Sequence, residues 1–324
     1  MAKILGMGNA LVDIMTSIEN DALLDSLSLP KGSMQLVDAE TSMAVSQATA
    51  MLPKMMASGG SAANTIHGLA RLGVQTAFIG TVGADETGDF FFNDMASNNI
   101  KPLLNKSTTP SGIAIALVSP DGERTFATHL GAAIELSADN LSPEIFEGYA
   151  CFYVEGYLVQ NEALLHKALE LAKAAGLRIA LDLASFNVVE GKKEFLTKML
   201  KQYVDVVFAN EEESKSLTGR SPREALDVLA EMCHIAVVKV GEKGSLIKSG
   251  SDFIQVGAIS AKALDTTGAG DLYAAGFIYG LVNNYPLEKS GKIGSLLAGN
   301  VIEVMGAKMD DTRWNAIHAQ LSSI

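Results

Sequence analysis

The stretch Asp265-Thr-Thr-Gly-Ala-Gly-Asp271 sets small residues between two carboxylates and runs directly into the apolar pattern Leu272, Ala275, Gly276, Ile278, Tyr279. Gly268, Ala269 and Gly270 let backbone approach a ligand closely, and the apolar pattern predicts a buried helix that begins there. Unpaired N–H groups at a helix start, with the helix dipole behind them, make an anion site. A carboxylate inside such a site is anomalous, because a bound phosphate would repel it. Asp271 either caps the helix, a position that suits Asp, or takes the proton of a hydroxyl that attacks phosphorus.

Two more stretches have the same character. Ser58-Gly-Gly-Ser-Ala-Ala-Asn64 leads into Ile66, Leu69, Ala70 and Leu72, with Gly73 as the stop. Asn64 falls in the first turn, and its amide can both donate to and accept from a polyhydroxyl ligand. The alternative is a strand–turn–helix corner that holds no ligand. Gly6-Met-Gly-Asn-Ala-Leu-Val-Asp13 puts Asp13 into an apolar strand and lacks the third glycine of a dinucleotide fingerprint. Such a carboxylate takes ligand hydroxyls or pairs with a base. No Gly-x-x-x-x-Gly-Lys-Ser/Thr or Gly-x-Ser-x-Gly string occurs, so neither a P-loop nor a hydrolase elbow is present. The histidines at 67, 129, 166, 234 and 318 have no metal-ligand spacing.

The elements that must position these residues follow from periodicity. Residues 77–82, 179–183, 204–208 and 235–240 are almost continuously apolar, which predicts strands of a parallel sheet covered on both faces. Leu164, Leu165, Ala168, Leu171, Ala172 and Ala175 recur at helical spacing before Gly176, and Ser221-Pro-Arg-Glu224 reads as a capping box with proline at the first helical position. The alternation predicts a wound α/β domain. Residues 10–60 and 104–130 break it. The first segment holds short strands at 11–17, 32–38 and 53–58 and a helix at 40–51. The second holds strands at 113–119 and 124–129, joined by the hairpin signal Pro120-Asp-Gly-Glu123. Strands without crossover helices predict a second, smaller sheet placed as a lid. The expected organisation is a core of residues 1–9, 61–103 and 131–324 with a discontinuous lid of 10–60 and 104–130.

Composition bounds the function. With 324 residues, 48% of them hydrophobic, the chain can bury a large core, which excludes disordered and disulfide-scaffold classes. Its 37 acidic and 25 basic residues give a net charge of −12, and no Lys/Arg run reverses it, which argues against nucleic acids and anionic membranes. Cys151 and Cys233 lie far apart in apolar segments and read as buried thiols; Trp314 and the thirteen methionines read as packing. No signal peptide opens the sequence and no run reaches the roughly 18 apolar residues of a membrane span. These features predict a cytoplasmic protein, monomer or homodimer, with small-molecule partners.

Taken together, the segments resemble the ribokinase (PfkB-type) family of carbohydrate and nucleoside kinases, nearly end to end from Gly6 to about Met309. Gly59-Gly-Ser-Ala-Ala-Asn-Thr-Ile-His-Gly-Leu-Ala-Arg-Leu-Gly73 is similar to the first family signature and Asp265-Thr-Thr-Gly-Ala-Gly-Asp-Leu-Tyr-Ala-Ala-Gly-Phe277 to the second. The resemblance implies a ribokinase-like α/β/α sandwich with a mostly parallel sheet and a small β lid. It also implies ATP-dependent phosphorylation of a hydroxymethyl group. On matched positions, Asp271 is the catalytic base, Gly268, Ala269 and Gly270 form the anion hole, and Arg124 is a lid arginine brought over the phosphates. Asp13, Gly59, Gly60 and Asn64 hold the acceptor. Asn210, Glu213, Lys239, Gly241, Gly244 and Thr266 border ATP, and Mg²⁺ arrives with the nucleotide near Glu213 rather than on direct protein ligands. Asp265, Thr267 and Gly306 match a monovalent-cation loop, although Val304-Met-Gly-Ala-Lys308 lacks the Thr-Arg that often precedes its Gly-Ala, which leaves potassium dependence open.

Within the family the opening residues resemble adenosine kinases, with Asn9 and Leu11 near the nucleoside and Tyr157 and Leu36 offering faces to a purine. Both could equally be packing residues. The expected reaction is phosphorylation of a nucleoside 5′-hydroxyl, with adenosine as acceptor. A sugar kinase of ribokinase, fructokinase or 2-keto-3-deoxygluconate kinase type is the alternative. An acidic sugar would need basic residues near the acceptor, and the first 70 residues offer only Lys3, Lys31 and Lys54. A non-catalytic nucleoside binder would have no use for a carboxylate beside phosphate.

Overall fold

The continuous apolar runs become the strands of one sheet and the alternating runs those of a second. In the computed structural model, which describes residues 2–324, the chain opens with β1 (Lys3–Met7), β2 (Leu11–Ser17), β3 (Met34–Leu36) and β4 (Met55–Gly59). It continues through β5 (Gln75–Gly83), β6 (Ile100–Ser107), β7 (Gly112–Val118), β8 (Arg124–His129) and β9 (Cys151–Glu155). It ends with β10 (Arg178–Asp182), β11 (Val206–Asn210), β12 (Ile235–Lys239), β13 (Ser245–Ser249) and β14 (Asp252–Val256).

The central sheet has the order β14-β13-β12-β11-β10-β9-β1-β5-β6. Its pairs from β6 to β12 are parallel, and the β13–β14 hairpin adds an antiparallel edge. Successive residues serve opposite layers: Ile4 and Tyr153 join the core on one face, Leu5 and Phe152 the core on the other. Helices Ser61–Arg71, Ala269–Val282 and Leu287–Val301 cover the first face, and Glu162–Ala174, Lys193–Tyr203 and Pro222–Ala230 the second. From β1 the chain builds outward to β5 and β6 on one side and returns to β9 on the other. The crevice beyond the C-terminal ends of β1 and β9 is thus a topological switch point, where open α/β sheets bind ligands.

The second sheet, ordered β3-β8-β7-β2-β4, stands over that crevice. One face seals a small core of Ile18, Leu24, Leu29, Val45, Ile115 and Leu117. The other faces the crevice, and its register is informative. Asp13 lies opposite Ala114, Ala114 opposite Thr128, and Thr128 opposite Leu36, so the four form one row across four strands. The Asp-Gly hairpin forms as expected, with Gly122 at φ +86° and the Ser119 N–H donating to the Glu123 carbonyl at 2.8 Å.

Several elements depart from expectation. β3 is only three residues long, because Gly32 turns at φ +74° and Asp38 leaves the strand to cap the next helix, accepting from the Thr41 N–H at 2.8 Å. That helix spans Ala39–Ala48, and a short Ala22–Ser26 helix precedes it. β6 runs to Ser107, paired with Gly83, so a boundary after 103 cuts through a strand of the central sheet. Among the described residues no helix is long and apolar enough to cross a membrane, and both cysteines are buried and free.

Candidate active site

Asp271 is the third residue of the Ala269–Val282 helix, whose N-cap is Gly268 at φ +76°. Two neighbours on the Ser61–Arg71 helix fix its carboxylate. Ser61 Oγ donates to Oδ1 at 2.7 Å and Asn64 Nδ2 to Oδ2 at 3.1 Å, while Thr65 Oγ1 donates to the Asp271 carbonyl at 3.1 Å. Such short bonds require the helices to approach closely, and the sequence provides for it. A Cβ on Gly68 would lie 2.8 Å from that of Ala275, and one on Gly276 would lie 2.6 Å from the Ile293 carbonyl of the next helix. Burial pushes the Asp271 carboxyl up to about 6, against the pull of the Ser61 and Asn64 hydrogen bonds. A carboxylate poised there can take a proton near neutral pH.

Asp13, on β2, reaches the same crevice from the second sheet. The glycine pair makes room for it: a Cβ on Gly59 would collide with the Asp13 carboxylate, and Gly60, at φ +97°, packs on the Asn9 carbonyl. Burial raises Asp13 to about 6; Lys308 draws it down and Asp271 adds to the rise. Asn9, Leu11, Leu36, Gly60, Asn64 and Tyr157 line this end of a cleft of about 1380 Å³. Gly59 lies behind the wall.

Beneath them sits a residue to which the sequence analysis gave no role. Glu155, at the end of β9, accepts from the backbone and side-chain N–H groups of Asn9, each at 2.9 Å, and from the Ala62 N–H at 2.8 Å. It ties the end of β1 to the start of the Ser61–Arg71 helix, and burial lifts it to about 7. The signal available was an acid followed by glycine at the end of an apolar run, Cys-Phe-Tyr-Val-Glu-Gly.

The other end of the cleft is lined by Asp182, Asn210, Glu213, Lys239 and Gly241, with Thr267, Gly270 and Asp271 between the two ends. Asn210 and Glu213 form a capping box: the Glu213 carboxylate accepts from Asn210 N and Nδ2 at 2.7 and 2.8 Å, and Asn210 Oδ1 accepts from Glu213 N at 2.8 Å. Burial raises Glu213 to about 7, with the Asp182 charge adding to the rise. Lys239 Nζ donates to Asp182 Oδ2 at 2.7 Å; Asp182, like Glu155 and Ser61, was missed by sequence reasoning. Gly244, at φ +89°, shapes the turn into β13, and Thr266 is exposed; neither is on the cleft wall. Among the described residues no group of three or more His, Cys, Asp or Glu is placed to hold a metal.

Arg124 stands apart from these residues. Its guanidinium does not line the cleft. It is buried against Asp265 in an ion pair, with Thr267 Oγ1 at 3.4 Å and Met305 Sδ at 2.8 Å. A buried carboxylate within reach is a stronger partner than an open crevice. The same contacts engage the Asp265 side chain of the proposed cation loop. Asp265 accepts from the Thr267 N–H at 2.9 Å, the Gly306 N–H at 2.6 Å and Arg124, so Thr267 and Gly306 present donors and the acid is already neutralised. Burial works to raise the Asp265 carboxyl, but these hydrogen bonds outweigh it and hold it low.

The sequence profile of the pfkB family carbohydrate kinases matches residues 44–313. Among solved structures, the chain is similar to a probable sugar kinase from Rhizobium etli (34% identity, 99% of each chain covered, TM-score 0.88). It is also similar to the adenosine kinase of Sinorhizobium meliloti (32% identity, 98% of this chain and 99% of that one, TM-score 0.87). The adenosine kinase of Saccharomyces cerevisiae is 27% identical over 94% of this chain and 96% of its own length.

Two outcomes follow from this geometry. If Asp271 works as a base and Asp13 as an acceptor of hydrogen bonds, both must be ionised. A pH profile of kcat/KM should then fall away below about pH 6 and level off above it; a flat profile from pH 5 to 8 would contradict the site. Turnover at fixed ionic strength should be the same in potassium, sodium or choline salts, because Arg124 already supplies the positive charge at Asp265. Strong activation by potassium would contradict that reading.

Proposed function

The chain belongs to the pfkB family of carbohydrate kinases, which phosphorylate alcohol groups, and from that premise we propose that it transfers the terminal phosphoryl group of ATP to the 5′-hydroxyl of a nucleoside, adenosine first among them. The row Asp13–Ala114–Thr128–Leu36 carries this reading. Three strand spacings separate its ends, roughly 14 Å, enough to span a nucleoside and more than a single sugar ring needs. Small side chains fill the middle of the row, a carboxylate stands at one end and an apolar residue at the other. Leu36 is 69% exposed at the rim, and Ile134, 63% exposed, lines the same cleft. Exposed apolar surface around a cleft marks a binding site, and a base has the apolar face to cover it. The likeness to adenosine kinases supports this reading, and the likeness to a sugar kinase keeps the free sugar as the competing acceptor.

In the proposed reaction Asp13 accepts from ribose hydroxyls and Asn9 and Tyr157 flank the nucleoside. The 5′-oxygen lies beside Asp271, which takes its proton as the oxygen bonds to phosphorus. The N–H groups at the start of the Ala269–Val282 helix receive the transferring group, where its charge gathers. The donor lies along Asn210, Glu213 and Gly241. Mg²⁺ would arrive on the triphosphate, with Glu213 and Asp182 as the nearby carboxylates, and would supply charge neutralisation. The second sheet closes the cleft against water, the competing acceptor. A cytoplasmic setting, where ATP is supplied, fits this reading.

Release of ADP from MgATP should be fastest with adenosine among a panel of nucleosides and sugars. Asp271→Asn should lower kcat by about 10²–10⁴-fold while the acceptor still binds. Faster turnover of a free sugar than of any nucleoside would overturn the acceptor, and near-normal turnover in a folded Asp271→Asn variant would overturn the base.

A further inference from the structure

Seven acids line the cleft (Asp13, Glu155, Asp182, Glu211, Glu212, Glu213, Asp271), and Lys239 is the one basic side chain among its described lining residues. A triphosphate entering such a cleft meets a repelling field everywhere except at one ammonium group and one helix start. Those two features coincide. Lys239 is the last residue of β12, and a Cβ placed on Gly270 would lie 3.0 Å from its Nζ, so the ammonium stands against the first turn of the Ala269–Val282 helix. Two other basic residues lie nearby but outside the cleft wall: Arg124 is committed to Asp265, and Lys308 is buried on the Asp13 side.

The geometry points to Lys239 as a catalytic residue: its ammonium leaves Asp182 to hold the transferring phosphoryl group against the N–H groups of the helix start. The inference rests on the phosphotransferase reading given above. In the ground state Lys239 is anchored at 2.7 Å to Asp182, and the two side chains are 17% and 5% exposed. The pair is therefore shielded, yet opens onto the cleft. Burial alone would lower the Lys239 pKa, but the charges of Asp182 and Glu213 outweigh it and raise the value, so the group stays an ammonium throughout. It donates hydrogen bonds and loses no proton. The acceptor O–P bond forms, the bond from the γ-phosphorus to its bridging oxygen breaks, the hydroxyl proton passes to Asp271, and ADP leaves with the bridging electron pair. Negative charge gathers on the equatorial oxygens during that step. A fixed cation in a low-dielectric site acts most strongly at that moment.

Lys239→Met should lower kcat by about 10²–10³-fold with little change in either KM, and Lys239→Arg should recover much of the loss. Binding of MgADP with aluminium fluoride and acceptor, a mimic of the transferring state, should weaken by a similar factor, while MgADP alone binds as before. Because the single variant strands Asp182 as a buried unpaired charge, Lys239→Met/Asp182→Asn provides a version with both charges removed, and it should show the same weakening. A folded variant with near-normal kcat would overturn the proposal, as would a loss of kcat with undiminished aluminium fluoride binding. A wild-type chain that phosphorylates no alcohol would instead overturn the function on which the proposal rests.

Discussion

The site depends on keeping a carboxylate buried at the first turn of a helix. Taking an ionised group out of water costs several kcal/mol unless hydrogen bonds and charge replace the lost hydration. Asp271 receives that replacement from Ser61 and Asn64, and from the dipole of its own helix. The donors belong to another helix, 210 and 207 residues away in sequence. The arrangement therefore rests on helix packing tight enough that glycine stands at Gly68 and Gly276. A methyl group at either position would separate Asp271 from the partners that hold its carboxylate.

The other ionised groups follow a related logic. Asp13, Glu155, Glu213 and Asp271 are all raised by burial, and a cleft holding so many acids would exclude a nucleotide if each were free. Most are not. Glu155 is occupied by three N–H groups and Glu213 by its capping box, while Asp182 is paired with Lys239. Asp13 and Asp271, the latter held by Ser61 and Asn64, face the end of the cleft proposed to take the acceptor. On the proposed reading the cleft is thus divided: Asp13 and Asp271 stand at the acceptor end, and at the other Glu213 and Asp182 are already engaged by donors, Lys239 among them.

The glycine-rich turns, the hairpin and the parallel strands were legible in the sequence, because each is a local pattern whose chemistry is carried by neighbours in the chain. Asp271 and Asp13 stood out for the same reason, as charges in stretches where charge has no local use. Glu155 and Asp182 did not, since their partners lie 93 and 57 residues away and only the fold brings them together. Arg124 shows the limit from the other side. Its type suited phosphate, but the structure gives it a buried carboxylate beside Thr267, 143 residues on. The strand ending at Ser107 was missed because its last three residues, Asn105, Lys106 and Ser107, are all polar, a pattern that an edge strand of the central sheet tolerates.

Asp271 should meet the acceptor hydroxyl while Asp13 holds the ring, which a crystal structure with adenosine and a non-hydrolysable ATP analogue would show. The account predicts the 5′-oxygen within about 2.6–3.2 Å of the Asp271 carboxylate, in line with the terminal phosphorus, and ribose hydroxyls on Asp13. A 5′-oxygen held by any other side chain, with Asp271 still bound only to Ser61 and Asn64, would contradict it.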